Sequence, residues 1–189
     1  MLSLVIPTYT LTDRQEELAI RCIKSFKEQA DEIIVTEDGG RFSEQLRELA
    51  DVYIYNKQNK GFTANVNRGW KQVKGDFVAI INSDTHLVTG NIKDLCIPSR
   101  LTSPKVLNQK FHKLQLRGCF FVVPKDIQEK YGYLDESMVM YYSDQAYADK
   151  TIGVFVEVPN VVIFHHCAET VANIDQSQYQ KEDQEAYEK

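Results

Sequence analysis

The sequence predicts an α/β protein built on a mostly parallel sheet with flanking helices, in a single domain. Short apolar runs without polar alternation, "LSLVI", "EIIV" and "FVAII", read as strands covered on both faces. The segments between them carry apolar residues at helical spacing, such as Leu18, Cys22, Ile23 and Phe26. Strand and helix alternate through the first half of the chain, the pattern of βαβ units. A chain of 189 residues is large enough to bury one sizeable core.

Each element is justified in turn. "LSLVIPTY" opens as a strand over Leu2–Ile6, and "DRQEELAIRCIKSFKEQ" follows as an amphipathic helix. "EIIVTEDGG" is a second strand ending in Glu37-Asp38 before a Gly-Gly turn. "SEQLRELA" is a short helix with Ser43 as its N-cap, and "VYIYN" a third strand. "GFTANVNRGWKQVKG" reads as a helix closed by Gly75, and "FVAII" as the next strand. The second half is less regular. "LQLRGCFFVVPK" reads as a strand, "KDIQEKYG" as a helix ended by Gly132, and "YYSDQAYADKTIG" as another helix. "VFVEVPNVVIFHH" reads as a broken strand pair, and the acidic segment 173–189 as a solvated helix or loose tail.

One consequence is functional. Pro7-Thr8-Tyr9, Glu37-Asp38, Asn56 and Asn82-Ser83-Asp84 all fall at the carboxyl ends of parallel strands. They are expected to share one edge of the sheet, where α/β proteins hold their ligands.

Composition narrows the partners. The net charge of −5 and the lack of a basic run interleaved with aromatics give no support to nucleic-acid binding. The opening "MLSLVIPTYT" has no basic flank and its apolar run breaks at Pro7, so neither a signal peptide nor a membrane span is expected, and a cytoplasmic location is. Cys22, Cys96, Cys119 and Cys167 are far apart without a C-x-x-C pair and read as reduced thiols.

Taken in order, these segments resemble the inverting family 2 glycosyltransferases of the GT-A fold, of rhamnosyl- or glucosyltransferase type. "LVIPTY" is similar to that family's opening strand and "EIIVTEDGG" to its second, usually written with two aspartates. "NKGFTANVNRGW" is similar to its N-x-G…N-x-G segment, and "AIINSDTHL" to its variant D-x-D motif. "RGCFFVVPKDIQEKYGYLDESMVMYYSDQAYAD" resembles the acceptor-side segment, and "VVIFHHCAET" the closing histidine segment. Three departures stand out. Glu37 replaces an aspartate, Ser143 stands where a glutamate is common, and Ala146 where an aspartate is usual.

The resemblance implies a nucleotide-binding half over residues 1–98, an acceptor-side half over 99–172, and a tail over 173–189. It implies a UDP- or dTDP-sugar donor, a hydroxyl acceptor and Mn2+ or Mg2+ as cofactor. Asp84 and His165 are the expected metal ligands, a mixed shell suited to Mn2+. His166, adjacent in an extended chain, points to the opposite face. Asp144 is the expected general base, and also a favoured helix cap. Nucleotide contacts are assigned to Pro7, Thr8, Tyr9, Glu37, Asp38, Asn59, Gly61, Asn67, Arg68, Asn82 and Ser83. A carboxylate among them would accept the pyrimidine N3–H, and Arg68 would meet a phosphate. Gly118 and Glu136 are assigned to the sugars. Tyr131, Tyr133, Tyr141 and Tyr142 read as core packing rather than a stacking wall, His86 as a weaker metal candidate expected at the surface, and His112 as a residue without a functional context.

Two other classes compete. A nucleotidyltransferase would want a Gly-rich, Arg-bearing loop after the first strand, and "IPTYTLTDRQ" has no glycine. A non-catalytic sugar-nucleotide or glycan-binding module is suggested by Ser143 and Ala146. A second subunit or a partner would be one way to complete so small a site.

Overall fold

The structure, a computed structural model, describes residues 1–108, 116, 118–167 and 177–189. Its first half is β1 (Leu2–Thr8), α1 (Asp13–Phe26), β2 (Glu32–Asp38), α2 (Glu44–Leu49), β3 (Val52–Asn56), α3 (Phe62–Trp70) and β4 (Phe77–Ile81). The second half is β5 (Thr85–Thr89), β6 (Leu101–Val106), β7 (Phe120–Pro124), α4 (Lys125–Tyr131), α5 (Ser143–Lys150), β8 (Phe155–His165) and α6 (Ser177–Tyr187). Among the described residues all strands join one sheet, in the order β3-β2-β1-β4-β7-β6-β8-β5.

The expected parallel half is present, with β1 parallel to β2 and β4, and β2 parallel to β3. The apolar runs are continuous because both faces are covered. Leu4, Ile6, Val35, Ala79 and Phe120 meet Ala19, Cys22, Ile23 and Phe26 of α1 on one face. Val5, Ile34, Ile80 and Phe121 meet Val66 and Trp70 of α3, Ile127 of α4 and Tyr147 of α5 on the other. Alternate residues of each strand thus supply two separate cores. Thr12 caps α1 through a reciprocal pair with Gln15, and Ser43 caps α2 by accepting from Leu46 N–H, as its type predicts.

The sheet changes direction beyond β4. β7 runs antiparallel to β4 and to β6, while β8 is parallel to β6 and antiparallel to β5. The start of β7, the end of β8 and the start of β5 therefore lie at the same edge as the ends of β1–β4. Strand order reverses at β1, and its pairing with β4 stops at Val5–Ile80 while that with β2 continues to Thr8–Glu37. Pro7 and Thr8 therefore line a split between β1 and β4, the place where such sheets bind ligands.

Several local expectations are corrected. The third helix stops at Trp70, not Gly75. A Cβ at position 75 would lie 2.7 Å from the Met1 carbonyl oxygen, and Gly75 N–H donates to Ser3 Oγ at 3.0 Å, so this glycine serves a close backbone approach. β5 follows Asp84 directly after a turn in which Thr85 N–H donates to Asn82 O. β6 carries Pro104 at a register shift, where a missing N–H is tolerated. "FVEVPNVVIFH" is one strand with that irregularity rather than two. Segment 177–187 is a formed helix, and it buries Asp183. No helix among the described residues is long and apolar enough to cross a membrane. His112 lies outside the described residues.

Candidate active site

At the end of β4 the turn Asn82-Ser83-Asp84-Thr85 carries the chain into β5, and Asp84 is turned into the protein, 3% exposed. Its backbone carbonyl accepts from His166 N–H at 3.0 Å. Thr85 pairs with His165 across β5 and β8, which puts the His165 ring beside the Asp84 carboxylate. His165 Nε2 lies 3.1 Å from Asp84 Oδ1, an ion-pair contact between a partly buried imidazole and a buried carboxylate. Burial works against a charged imidazole at His165. The Asp84 carboxylate and the Cys119 thiol outweigh it and raise the pKa to about 10. Asn108 holds the His165 backbone at both ends, donating to its carbonyl at 2.6 Å and accepting its N–H at 3.2 Å.

Cys119 connects this pair to a second carboxylate. Its carbonyl accepts from Asn82 N–H at 2.9 Å, and the preceding residue, Gly118, faces Asp144. A Cβ at position 118 would sit 2.0 Å from Asp144 Oδ2, so only glycine leaves room for that carboxylate. Asp144 is the second residue of α5, after Ser143, and not its cap: the N-cap position is held by Tyr142, whose φ of 63° is left-handed. The surrounding protein desolvates the Asp144 carboxyl and raises its pKa above the usual range, against backbone hydrogen bonds that favour the charged form.

The nucleotide-side residues divide into two groups. Pro7, Thr8 and Tyr9 stand at the split, with Tyr9 half-buried and Thr8 Oγ1 donating to Thr36 O at 3.3 Å. Arg68 lies 3.5 Å from Asp38 through Nη1, which is buried without a hydrogen-bond partner. Asn82 Oδ1 is a buried acceptor in the same condition, and Ser83 is buried beside it.

The other group serves the scaffold. Glu37, expected to meet a base, is fully buried. It accepts from Thr10 N–H, Thr10 Oγ1 and Gly40 N–H at 2.9, 2.8 and 3.0 Å, and so orders the loop after β1. Burial raises its pKa. Asp38 accepts from Asn56 Nδ2, Lys60 N–H and Gly61 N–H at 2.7, 2.7 and 3.0 Å. Asn59 Oδ1 also accepts from Gly61 N–H, at 2.8 Å. Gly61 begins α3 at φ 93°, and a Cβ there would meet Val139 Cγ1 at 2.3 Å. Asn67, assigned to the nucleotide, instead exchanges hydrogen bonds with the Leu134 backbone and donates to Glu136 Oε1 at 2.9 Å. Glu136 is half-exposed at the mouth of this loop, 3.6 Å from Lys71 Nζ. Tyr133 packs edge-on against Trp70, as core packing requires. His86 takes a hydrogen bond from Arg21 at 2.8 Å.

Sequence reasoning missed Asn65, Cys119, Asn108 and Asp183. Asn65 Nδ2 donates to the carbonyls of Thr36 and Thr8 at 2.8 and 3.3 Å, tying the ends of β1 and β2 to α3. Its place in "NKGFTANVNRGW" was visible; its task depends on which helix face meets the strand ends. The others become visible only when distant segments are folded together.

Among the described residues no group of three or more His, Cys, Asp or Glu side chains is arranged to hold a metal ion. The Asp84–His165 pair nevertheless suits a divalent cation. A buried carboxylate oxygen and an imidazole nitrogen face each other 3.1 Å apart, two donor types that such a cation takes together.

Residues 3–96 match the model of glycosyl transferase family 2. The chain is 30% identical over 138 residues to a dolichol-phosphate mannosyltransferase of Pyrococcus furiosus, covering 64% of this chain but 39% of the relative. In fold it is similar to GalNAc-T7 solved with UDP, GalNAc and Mn2+, at TM-score 0.73 and 13% identity over 87% of this chain and 43% of that one. It is also similar to a Pyrobaculum calidifontis mannosyltransferase in complex with GDP-Man and Mn2+, at TM-score 0.68 and 15% identity over 96% and 60%. Staphylococcal (S. aureus) TarS in complex with UDP gives TM-score 0.65 and 14% identity over 97% and 70%. Over residues 3–96 the chain is similar to glycosyl transferase family 2, and its fold is the GT-A fold.

Proposed function

We propose that this chain catalyses metal-dependent, inverting transfer of a sugar from a UDP- or dTDP-sugar to an acceptor hydroxyl. The observation that carries this reading is a set of buried polar atoms that lack hydrogen bonds along the ligand edge of the sheet, two of them, Asp84 Oδ1 and Arg68 Nη1, held only by an ion-pair contact. Asn82 Oδ1, Asp84 Oδ1, Thr85 Oγ1, Thr63 Oγ1, Asn65 Oδ1 and Arg68 Nη1 are all buried without a hydrogen-bond partner. Native proteins leave few such atoms, and a cluster at one edge marks a place that a polar ligand completes.

Asp84 and His165 would hold Mn2+ or Mg2+, which when bound neutralises the charge of a departing diphosphate. Arg68, whose Nη1 lies 3.5 Å from Asp38 without a hydrogen bond, offers its guanidinium to the same diphosphate. Tyr9 and Pro7, at the open end of the split, are left to receive the base, because Glu37 is committed to Thr10 and Gly40. Asp144 takes the proton from the acceptor hydroxyl. Its raised pKa makes it a stronger base than an exposed aspartate once it is ionised. Gly118 keeps the space between carboxylate and backbone clear. Attack from the Asp144 side, opposite the departing diphosphate, inverts the anomeric centre. Residues 1–98 would then serve the donor and residues 99–172 the acceptor.

The curated relative is named a mannosyltransferase, and one neighbour was solved with GDP-Man, so guanosine donors belong in the test. Each nucleotide sugar is offered with and without acceptor, and release of nucleoside diphosphate is followed. Release by the wild type that is lost in Asp144→Asn supports transfer. Nucleotide binding without release would favour a binding module, in keeping with Ser143 and Ala146 in place of acids.

A further inference from the structure

Beyond the crevice, the most specific polar arrangement lies where α6 meets the segment before Asp144. Three consecutive amides, those of Val139, Met140 and Tyr141, point at one carboxylate. Asp183 Oδ1 accepts the first at 2.7 Å, and Oδ2 the other two at 2.7 and 2.8 Å. Asp183 is 1% exposed, although it sits in an otherwise polar helix. A buried carboxylate is tolerated when several N–H groups satisfy it, and here they come from a single stretch of loop.

Two further contacts from α6 fall on either side of Asp144. The Tyr187 ring stacks on Tyr142 at 5.5 Å, and its hydroxyl donates to Asp149 Oδ2 at 2.5 Å. On the opposite side Val139 O accepts from Thr63 N–H of α3 at 3.1 Å. The segment 139–141 is thus clamped between α3 and α6. It hands directly to Tyr142, in its left-handed conformation, and then to Asp144 against Gly118. There is little slack at that end: a carboxylate that leaves no room for a single added carbon depends on the backbone that carries it.

We infer that Asp183 is a positioning residue for transfer, fixing the Val139–Tyr141 backbone so that the Asp144 carboxylate stands opposite Gly118. This rests on the reading of Asp144 as the general base. The sequence gives Asp183 no motif, and its polar helix would otherwise pass for a solvated tail. Its effect acts through Asp144, so it bears on turnover and not on donor binding.

The test uses the full chain carrying Asp183→Asn, which keeps one acceptor oxygen and nearly the same volume. Amide exchange of Val139–Tyr141 is measured beside steady-state kinetics and nucleotide binding, with Asp144→Asn and wild type in the same assay. In the folded variant those amides are expected to exchange at least about 10-fold faster. The kcat is expected to fall about 10- to 100-fold, while donor KM and nucleotide affinity stay within about twofold. Unchanged exchange, or unchanged kcat with Asp144→Asn inactive, overturns the inference alone. A parallel loss of kcat and nucleotide affinity that tracks the melting temperature also overturns it, since that is a general stability effect. Wild-type turnover in Asp144→Asn, or no turnover by the wild type, overturns the reading of Asp144 and this inference with it.

Discussion

Asp144 shows how one residue's surroundings set both its chemistry and its effect on stability. Burial raises its pKa in the folded protein above the value of about 3.9 expected in the unfolded chain. As a base it must be ionised, so transfer is expected to rise with pH through an acid limb displaced above the ordinary carboxylate range; a pH–rate profile checks this. A group with a raised folded pKa contributes its full stability below the unfolded value and loses it as pH rises through the folded one. At neutral pH the ionised form is therefore a load on the fold. Asp144→Asn is expected to melt at a higher temperature than wild type at pH 7, with the advantage gone near pH 3, as paired thermal melts would show. Equal melting at both values would contradict the burial argument. Gly118 gives the steric counterpart. Gly118→Ala puts a carbon 2.0 Å from Asp144 Oδ2, and transfer is expected to fall about 100-fold. Nucleotide affinity, measured by calorimetry, is expected to be little changed.

The elements carry these residues by different means, and the difference explains what could be read in advance. Asp38, at the end of β2, binds the N–H groups of Lys60 and Gly61 and so ties strand to helix start. Asp38→Ala would leave the Lys60 amide and Asn56 Nδ2 without this acceptor and the Gly61 amide with Asn59 alone, and urea unfolding is expected to show a loss of about 3 kcal/mol. The parallel strands were legible because burial on both faces leaves an uninterrupted apolar run, as in "FVAII". Ser43 was legible because capping is local chemistry. β6 was hidden by Pro104, which sits at an irregular point of the ladder, and α3 ends early for the sake of a glycine contact with Met1. Glu37 and Asn67 have residue types that suit a ligand as well as a loop. Only their partners, Thr10 and Gly40 for one and Leu134 for the other, assign them to the scaffold. The Asp84–His165 pairing came from the family pattern; its cross-strand basis, Thr85 opposite His165, depends on the unforeseen β5.

At the scale of the molecule, one sheet brings opposite ends of the chain to a single edge. β4 delivers Asp84, β8 delivers His165 from 81 positions later, and α5 delivers Asp144 past the start of β7. Buried polar atoms without hydrogen bonds gather along that edge, and on the proposed function a nucleotide, a diphosphate and a cation would satisfy them. If a cation completes the Asp84–His165 pair, Mn2+ with nucleoside diphosphate is expected to raise the melting temperature of wild type and not of Asp84→Asn. The most direct test of the central claim is nucleoside diphosphate release from a panel of nucleotide sugars, with Mn2+, with Mg2+ and with chelator, for wild type and Asp84→Asn. The account predicts release of UDP or dTDP from one donor, abolished by chelator and by the substitution. Release that survives both, or silence across the whole panel, would contradict it.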